Sequence, residues 1–313
     1  HQTAGEEMSA LGLGLGLGIS RVRGGGSPDM VLVYEIPDPN TDIELAIQAN
    51  SMYFSSGQEA VIDWGDGSDA ETVSDTGGST YIGHTYAAAG TYTIKISGSM
   101  TMYGRGSLAD IGSQTYLTRV DSFGTLGITS FMRAFYRCTG LMSVPKTIPD
   151  SVTDMSSMFN SCITANNINF DISKWDVSNV TYMQYMFQGC RGAAFNPNVS
   201  NWDVSNVENM YGMFNGCRGA AFNPDIKSWT LKAGVTTTAM FTGSKTQPTT
   251  WLDELLIAWA ANPAQGYNIT INFSPNSFSE DVDGEPLPAV ADALATLIGK
   301  GWSIITANPY PAT

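Results

Sequence analysis

The residues whose types and spacing could support chemistry are few in this chain. Asp63, Asp66 and Asp69 crowd one glycine-containing turn, and carboxylates at such short spacing are typical calcium ligands. A turn whose carboxylates are solvated explains the same pattern. We prefer that interpretation and keep the calcium site as the alternative.

The four cysteines stand at the same position of a repeated motif. An even count permits disulfides, but stacked repeats would place one sulfur in each unit, where cysteine acts as a small buried apolar residue. No Cys-x-x-Cys or paired histidine indicates zinc. We therefore predict a reduced, buried column rather than a disulfide or metal site, formed by Cys138, Cys162, Cys190 and Cys217.

Catalytic patterns are missing from the sequence. The only histidines are His1 and His84, and there is no Gly-x-Ser-x-Gly, His-Glu-x-x-His or phosphate-binding loop. Two carboxylate pairs, at 253–254 and 280–281, have no neighbour that would raise one pKa for acid catalysis. We predict a protein that is not an enzyme and needs no cofactor, with a glycosidase as the alternative.

A repeated segment between residues 128 and 244 must position these residues. Equivalent positions in its copies are 24, 28, 27 and 27 residues apart, the last copy being recognisable only from its third position onward. Such a period is typical of a solenoid whose units need neighbours on both sides. Apolar residues at i, i+3, i+6 and i+7 predict a short helix, with Gly189 and Gly216 at its end. A short strand and a tryptophan-bearing loop would follow. The copies are 128–138, 152–162, 180–190, 207–217 and the degenerate 236–244.

Three tryptophans recur every 27 residues, so we expect a structural ladder, with sugar stacking as the alternative; they are Trp175, Trp202 and Trp229. The repeated methionines are assigned to the core rather than to an adaptable binding surface.

Polar residues that alternate with apolar ones in the predicted strands are the candidate partner contacts: Asn196, Asn198, Asn223 and Asp225.

The repeat resembles a known family. Residues 175–190 and 202–217 both read Trp-Asp-Val-Ser-Asn-Val-x-x-Met-x-x-Met-Phe-x-Gly-Cys, and 222–229 follow as Phe-Asn-Pro-Asp-Ile-Lys-Ser-Trp. This is similar to the BspA-like leucine-rich-repeat surface proteins. The resemblance implies a non-enzymatic protein that is extracellular or displayed on a virion and serves adhesion or attachment.

A second resemblance precedes the repeats. Short β-rich runs surround Trp64-Gly-Asp-Gly-Ser, which is followed by His84-Thr-Tyr and Gly90-Thr-Tyr-Thr-Ile. Together these resemble the polycystic-kidney-disease-type (PKD) β-sandwich module. The resemblance implies that Trp64 and Tyr92 are core residues and that His84 is hydrogen-bonded.

These observations predict a multidomain fold, with an N-terminal all-β PKD- or immunoglobulin-like sandwich followed by an α/β leucine-rich-repeat solenoid and a C-terminal cap. The predicted parts are a Gly-rich anchoring segment at 1–29, the sandwich at 30–100, the repeats at 101–247 and the cap at 248–313. The Leu-Gly alternation at 11–18 resembles the start of many phage tail and fibre-region proteins. A flexible linker is the alternative, and processing before His1 is left open.

Composition limits the possible partners. The net charge of −14 disfavours nucleic acid, and no apolar run reaches the roughly 18 residues that span a bilayer. We expect a virion surface protein (phage fibre, tail-associated or decoration protein) that is oligomeric in an assembly. It would contact other virion proteins through 1–29 and a host receptor or glycan through the repeats. The alternatives are a bacterial cell-surface adhesin binding host glycan or protein, and a purely structural component.

Overall fold

The structure is a computed structural model that describes residues 28–106, 115–162, 171–274, 276–277, 279–280 and 285–306. Residues 1–27 of the predicted anchoring segment therefore lie outside the described residues. Asp281, the second carboxylate of the 280–281 pair, also lies outside them.

The N-terminal part is built from antiparallel strands. They are β1 (Met30–Ile36), β2 (Thr41–Gln48), β3 (Glu59–Asp63), β4 (Glu71–Ser74), β5 (Tyr81–Tyr86), β6 (Gly90–Gly98) and β7 (Leu117–Phe123). One sheet has the order β4-β3-β6-β1-β7, and β2 pairs with β5 in a second sheet. Alternating apolar residues bury one face of β3 and β6, where Ile62 and Ile96 are fully enclosed.

Strand β7 connects this sheet to the repeats, although its residues belong to the segment 101–247 that is predicted to form the repeats. It pairs with β1, so that Phe123 lies opposite Met30. Arg119 of the same strand forms a parallel bridge with Ser143, which lies after the first repeat copy. The sheet and the first repeats thus share backbone hydrogen bonding.

The predicted α/β leucine-rich-repeat solenoid is wrong. The described residues of the five copies contain no helix, and the predicted strands at 193–202 and 220–229 are irregular segments. The helices α1 (Thr249–Ala261) and α2 (Pro288–Gly299) both follow the repeats. The described chain is therefore mostly sheet and turns.

The backbone conformation of each copy explains the missing helix. Residues six and ten of a copy have positive φ, as in Tyr185 (58°) and Gly189 (71°), whereas a helix requires φ near −60°. Local hydrogen bonds span three residues, as from the Met186 N–H to the Met183 carbonyl at 3.2 Å. Each copy is consequently a run of tight turns.

Every second N–H group along the turns bonds to the next copy. In the second copy the N–H groups of Met155, Ser157, Phe159 and Ser161 donate to carbonyls of the third at 2.7–2.9 Å. Parallel bridges join the third residues of successive copies: Ser130, Asp154, Tyr182, Asn209 and Thr236. We call each copy a rung and the whole set, residues 128–244, the repeat stack. A single rung would leave these N–H groups without acceptors, so neighbours stabilise one another.

The side chains form columns inside the stack. The eighth residue of each rung is phenylalanine, and the rings of Phe159, Phe187 and Phe214 stack at centroid distances of 5.8 and 5.7 Å. Met183 and Met186 are fully buried. The positions assigned to a helical face are therefore core positions, although the element is not a helix.

The C-terminal part closes one end of the stack. Strands β8 (Thr236–Thr237), β9 (Thr270–Asn272) and β10 (Ser303–Ile305) form a parallel sheet in the order β10-β9-β8, so the last rung continues into this sheet. Helix α1 buries Leu252 and Trp259, and α2 buries Leu294. Neither of these helices, nor any other in the described residues, is long and apolar enough to cross a membrane.

Candidate recognition face

The outward residues of the rungs vary, whereas the inward ones repeat. The third residue is Ser130, Asp154, Tyr182 or Asn209 in the first four rungs, while the eighth is always phenylalanine. Packing accounts for the constant inward residues. It places no such demand on an outward side chain, so outward variation leaves room for recognition.

The third and fourth rungs concentrate aromatic and amide side chains on this outward side. Their third, fifth, sixth and ninth residues, apart from Gly212, are half-exposed or exposed and uncharged. We call this set the Tyr–amide face: Tyr182, Gln184, Tyr185, Gln188, Asn209, Tyr211 and Asn215.

Tyrosine geometry is set by the rung backbone. Tyr182 is 43% exposed. The rings of Tyr185 and Tyr211, from neighbouring rungs, meet edge to face at a centroid distance of 5.1 Å. Tyr185 lies over Gly212, where an added Cβ would come within 2.8 Å of the ring. Partial burial, followed by the nearby Tyr211, raises the pKa of Tyr185, so its hydroxyl is a neutral donor and acceptor.

Amide groups beside the rings supply hydrogen-bonding capacity. The Asn160 side chain of the second rung donates to Gln188 Oε1 at 2.8 Å and thereby orients it. Gln184 Oε1 is buried and accepts no hydrogen bond from the described residues.

Charge is distributed unevenly along the chain. Residues 30–100 contain ten carboxylates and one basic residue, Lys95. The repeat stack contains seven carboxylates and eight lysines and arginines. The acidity of the chain thus resides outside the stack, and the Tyr–amide face is electrically neutral.

The residues predicted as partner contacts lie in the irregular segments that follow the third and fourth rungs. Asn196 is half-buried, and its Oδ1 accepts the Asn223 N–H at 2.9 Å, so these two residues join neighbouring repeats. Asn198 accepts the Ser200 hydroxyl at 3.0 Å. The exposed Asp225 accepts the Lys227 N–H at 3.2 Å. These side-chain oxygens serve local structure, and a role in binding stays a prediction.

The four cysteines are buried thiols, one in each of four rungs. Three of them donate to a phenylalanine carbonyl of the preceding rung, as Cys190 does to Phe159 at 3.2 Å. Burial raises the pKa of every one of these thiols, and for Cys190 the value is about 12.

The tryptophans are also structural. Trp175 and Trp202 stack with their rings 3° from parallel, and Trp229 packs against Phe214. Each indole N–H donates to a backbone carbonyl 30 residues earlier at 2.9–3.0 Å. All three rings are at most 3% exposed, which leaves no face for a sugar to stack on.

The aspartates of the calcium alternative are not gathered around one point. Asp63 accepts the Gly65 N–H, while Asp66 accepts from Ser68 and contacts His84 Nε2 at 2.7 Å. The Ser68 hydroxyl, and to a smaller extent His84, lower the pKa of Asp66 to about 2. No group of three or more metal-binding side chains occurs among the described residues.

Comparison with known protein families gives a match to part of the chain. Residues 120–252 match the family described as Mycoplasma protein of unknown function, DUF285, which is associated with BspA-like surface repeat proteins. The match covers fewer than half of the 313 residues and coincides with the repeat stack. No curated protein and no solved structure matches the chain.

Proposed function

We propose that this chain is a non-enzymatic surface component of a virion, and that its Tyr–amide face makes attachment contacts. The observation that carries the proposal is the contrast between rung positions. Inward residues repeat because they pack, whereas Tyr182, Tyr185 and Tyr211 occur at outward positions where packing does not require an aromatic ring.

Side-chain chemistry supports a role in recognition. Tyrosine offers a large flat contact area together with a hydroxyl, and it loses little conformational entropy on binding. The side-chain NH₂ groups of Gln184 and Asn209 add hydrogen-bond donors, whereas Asn209 Oδ1 already accepts the Tyr211 N–H at 2.9 Å. A neutral face meets a neutral partner without the cost of removing water from charges.

The rest of the chain has supporting roles in this proposal. The Gly-rich segment 1–29 anchors the chain to other virion proteins in an oligomeric assembly. The acidic, PKD-like module at 30–100 holds the stack away from the anchor. Repulsion by its carboxylates disfavours contact with acidic polymers.

A bacterial cell-surface adhesin that binds a host glycan or protein is the second candidate. The match to a family described from Mycoplasma favours it, because that description refers to a bacterium. The two candidates share the attachment role and differ in location. Immunogold labelling of purified virions and of the producing cells distinguishes them.

Adsorption of the native assembly to its target cells tests the attachment role. Replacing Tyr182, Tyr185 and Tyr211 by serine removes the aromatic contacts. Adsorption should fall at least tenfold, because one buried aromatic contact is worth about 1 to 3 kcal/mol. The control replaces Tyr267 by serine, because this tyrosine is 57% exposed and lies outside this face.

Two outcomes would contradict the proposal. Unchanged adsorption by a correctly folded triple variant would exclude the face as the attachment surface. A view of the assembly in which the face is buried between subunits would instead favour the purely structural role. Deletion of residues 1–29 tests the anchor separately, because assembly should then fail while the stack still folds.

A further inference from the structure

A buried guanidinium lies where the N-terminal sheets meet the first rung. Arg105 is only 1% exposed, and its guanidinium carbon lies 4.1 Å from the centre of the Tyr81 ring. Its Nη1 is 3.8 Å from Glu44 Oε2, which is too long for a hydrogen bond. None of its three side-chain nitrogens makes a hydrogen bond with the described residues.

Three tyrosine hydroxyls in the same region have the same deficit. Tyr34 on β1, Tyr81 on β5 and Tyr103 each have a buried hydroxyl that makes no hydrogen bond of ordinary geometry with the described residues, although Tyr34 and Tyr103 lie close enough to influence each other's pKa. Burial raises the pKa of Tyr34 and of Tyr103, so both hydroxyls stay protonated. Arg105 lies close enough to both tyrosines to lower their pKa values, but this effect is smaller than that of burial.

These groups share one chemical property. A guanidinium has only donors, and a protonated phenol has a donor to offer. Leaving such donors unsatisfied in the interior destabilises the fold, and the charged group contributes most of this cost. A phenol oxygen can also accept, but no described hydroxyl accepts from the guanidinium, so its N–H groups have no acceptor in place. A negatively charged acceptor would supply one and would also balance the guanidinium.

We propose that Arg105, Tyr34, Tyr81 and Tyr103 bind a small inorganic anion of the size and charge of chloride. Enclosure of Arg105 excludes a phosphate carried on a larger molecule. The Glu44 carboxylate is half-exposed and is screened by solvent, so it balances the buried charge only in part. The anion would fasten Tyr103 and Arg105, whose N–H groups donate to carbonyls of the first rung, to strands β1 and β5.

Melting of the full chain in increasing sodium chloride tests the site, with sodium gluconate of the same ionic strength as reference. Because the chain is strongly acidic, both salts stabilise it by screening, and the difference between them reports a specific site. Chloride and bromide should give a saturable extra rise in melting temperature. An equal rise in all salts would overturn the proposal.

Variants assign the effect to the cluster. Arg105→Gln should abolish the halide-specific rise. Tyr34→Phe keeps the ring and should weaken halide affinity roughly tenfold, since it removes one hydrogen bond to a charged group. Arg119→Gln is the control, because Arg119 is exposed and pairs with Asp121. A halide effect that persists in both cluster variants would contradict the assignment.

If Arg105→Gln does not fold, a crystal of the unsubstituted chain grown in sodium bromide tests whether the anion binds at this site. An anomalous bromide peak beside the Arg105 guanidinium is the expected result. Ordered water at that position, with bromide elsewhere as an adventitious ion only, would refute the proposal.

Discussion

Replacing Phe187 by alanine tests the stacked rungs most sharply. The ring is 1% exposed and lies between Phe159 at 5.8 Å and Phe214 at 5.7 Å. Truncating a buried phenylalanine costs about 3 to 5 kcal/mol through lost transfer free energy and the cavity left behind. Because both neighbouring rungs lose a partner, we expect a free energy of unfolding lower by about 4 kcal/mol.

Urea unfolding followed by circular dichroism measures this loss. Tyr182→Ala in the same rung is the matched control, because that ring is exposed, and its cost should stay below about 1 kcal/mol. The m-value shows whether the transition stays cooperative. If the two variants lost equal stability, or Phe187→Ala lost less than about 1 kcal/mol, the column of rings would not hold the stack together.

The remaining predictions concern the thiols, one carboxylate and one glycine. A thiol reagent at pH 8 should modify none of the four cysteines before unfolding and all of them afterwards, because burial raises their pKa values; rapid reaction of the native protein would contradict this. The lowered pKa of Asp66 stabilises the fold at pH values above about 4, the ordinary pKa of an aspartate, and this effect is lost as pH falls towards 2. Because Asp66 is solvent-exposed, screening keeps the effect small, so Asp66→Asn should remove at most about 1 kcal/mol at pH 7 and progressively less towards pH 2 in urea titrations; a loss independent of pH would refute it. Gly212→Ala should destabilise more than Gly234→Ala in the same assay, because both have positive φ but only Gly212 lies against Tyr185; equal losses would exclude that contact.

The core could be predicted from the sequence, although the type of element could not. Periodic apolar residues such as Met183 and Phe187 are buried, as their spacing indicates. The same spacing suits a helix and a run of tight turns, since both return a side chain to one side every three to four residues. Positive φ at Ser157 and Tyr185, residue types that seldom adopt it, decides between the two.

Hydrogen bonding between rungs is the second reason why the helix was predicted wrongly. Gly189 and Gly216 were interpreted as the ends of helices, but they occupy the tenth, positive-φ position of a rung. Their N–H groups donate to the next rung at 2.8 and 2.9 Å. No single copy of the repeat contains that information, because the acceptors belong to residues about 26 positions later.

The sequence contains a signal for the Tyr–amide face, but alternation of polar and apolar residues along the chain does not reveal it. Alternation drew attention to Asn196 and Asn223, and the structure gives these two residues a shared hydrogen bond. Comparison of the copies with one another points instead to the outward third and fifth residues, which change from rung to rung. The orientation of Tyr185 over Gly212 depends on the rung spacing and needed the structure.

Labelling of a thiol introduced on the candidate face tests the central claim most directly. The native cysteines are all buried, so Tyr182→Cys supplies one reactive thiol on an otherwise silent chain. A membrane-impermeant maleimide should label this variant to the same extent on intact virions or cells as after their disruption. Labelling that appears only after disruption would show that the face is covered and would contradict its role in attachment.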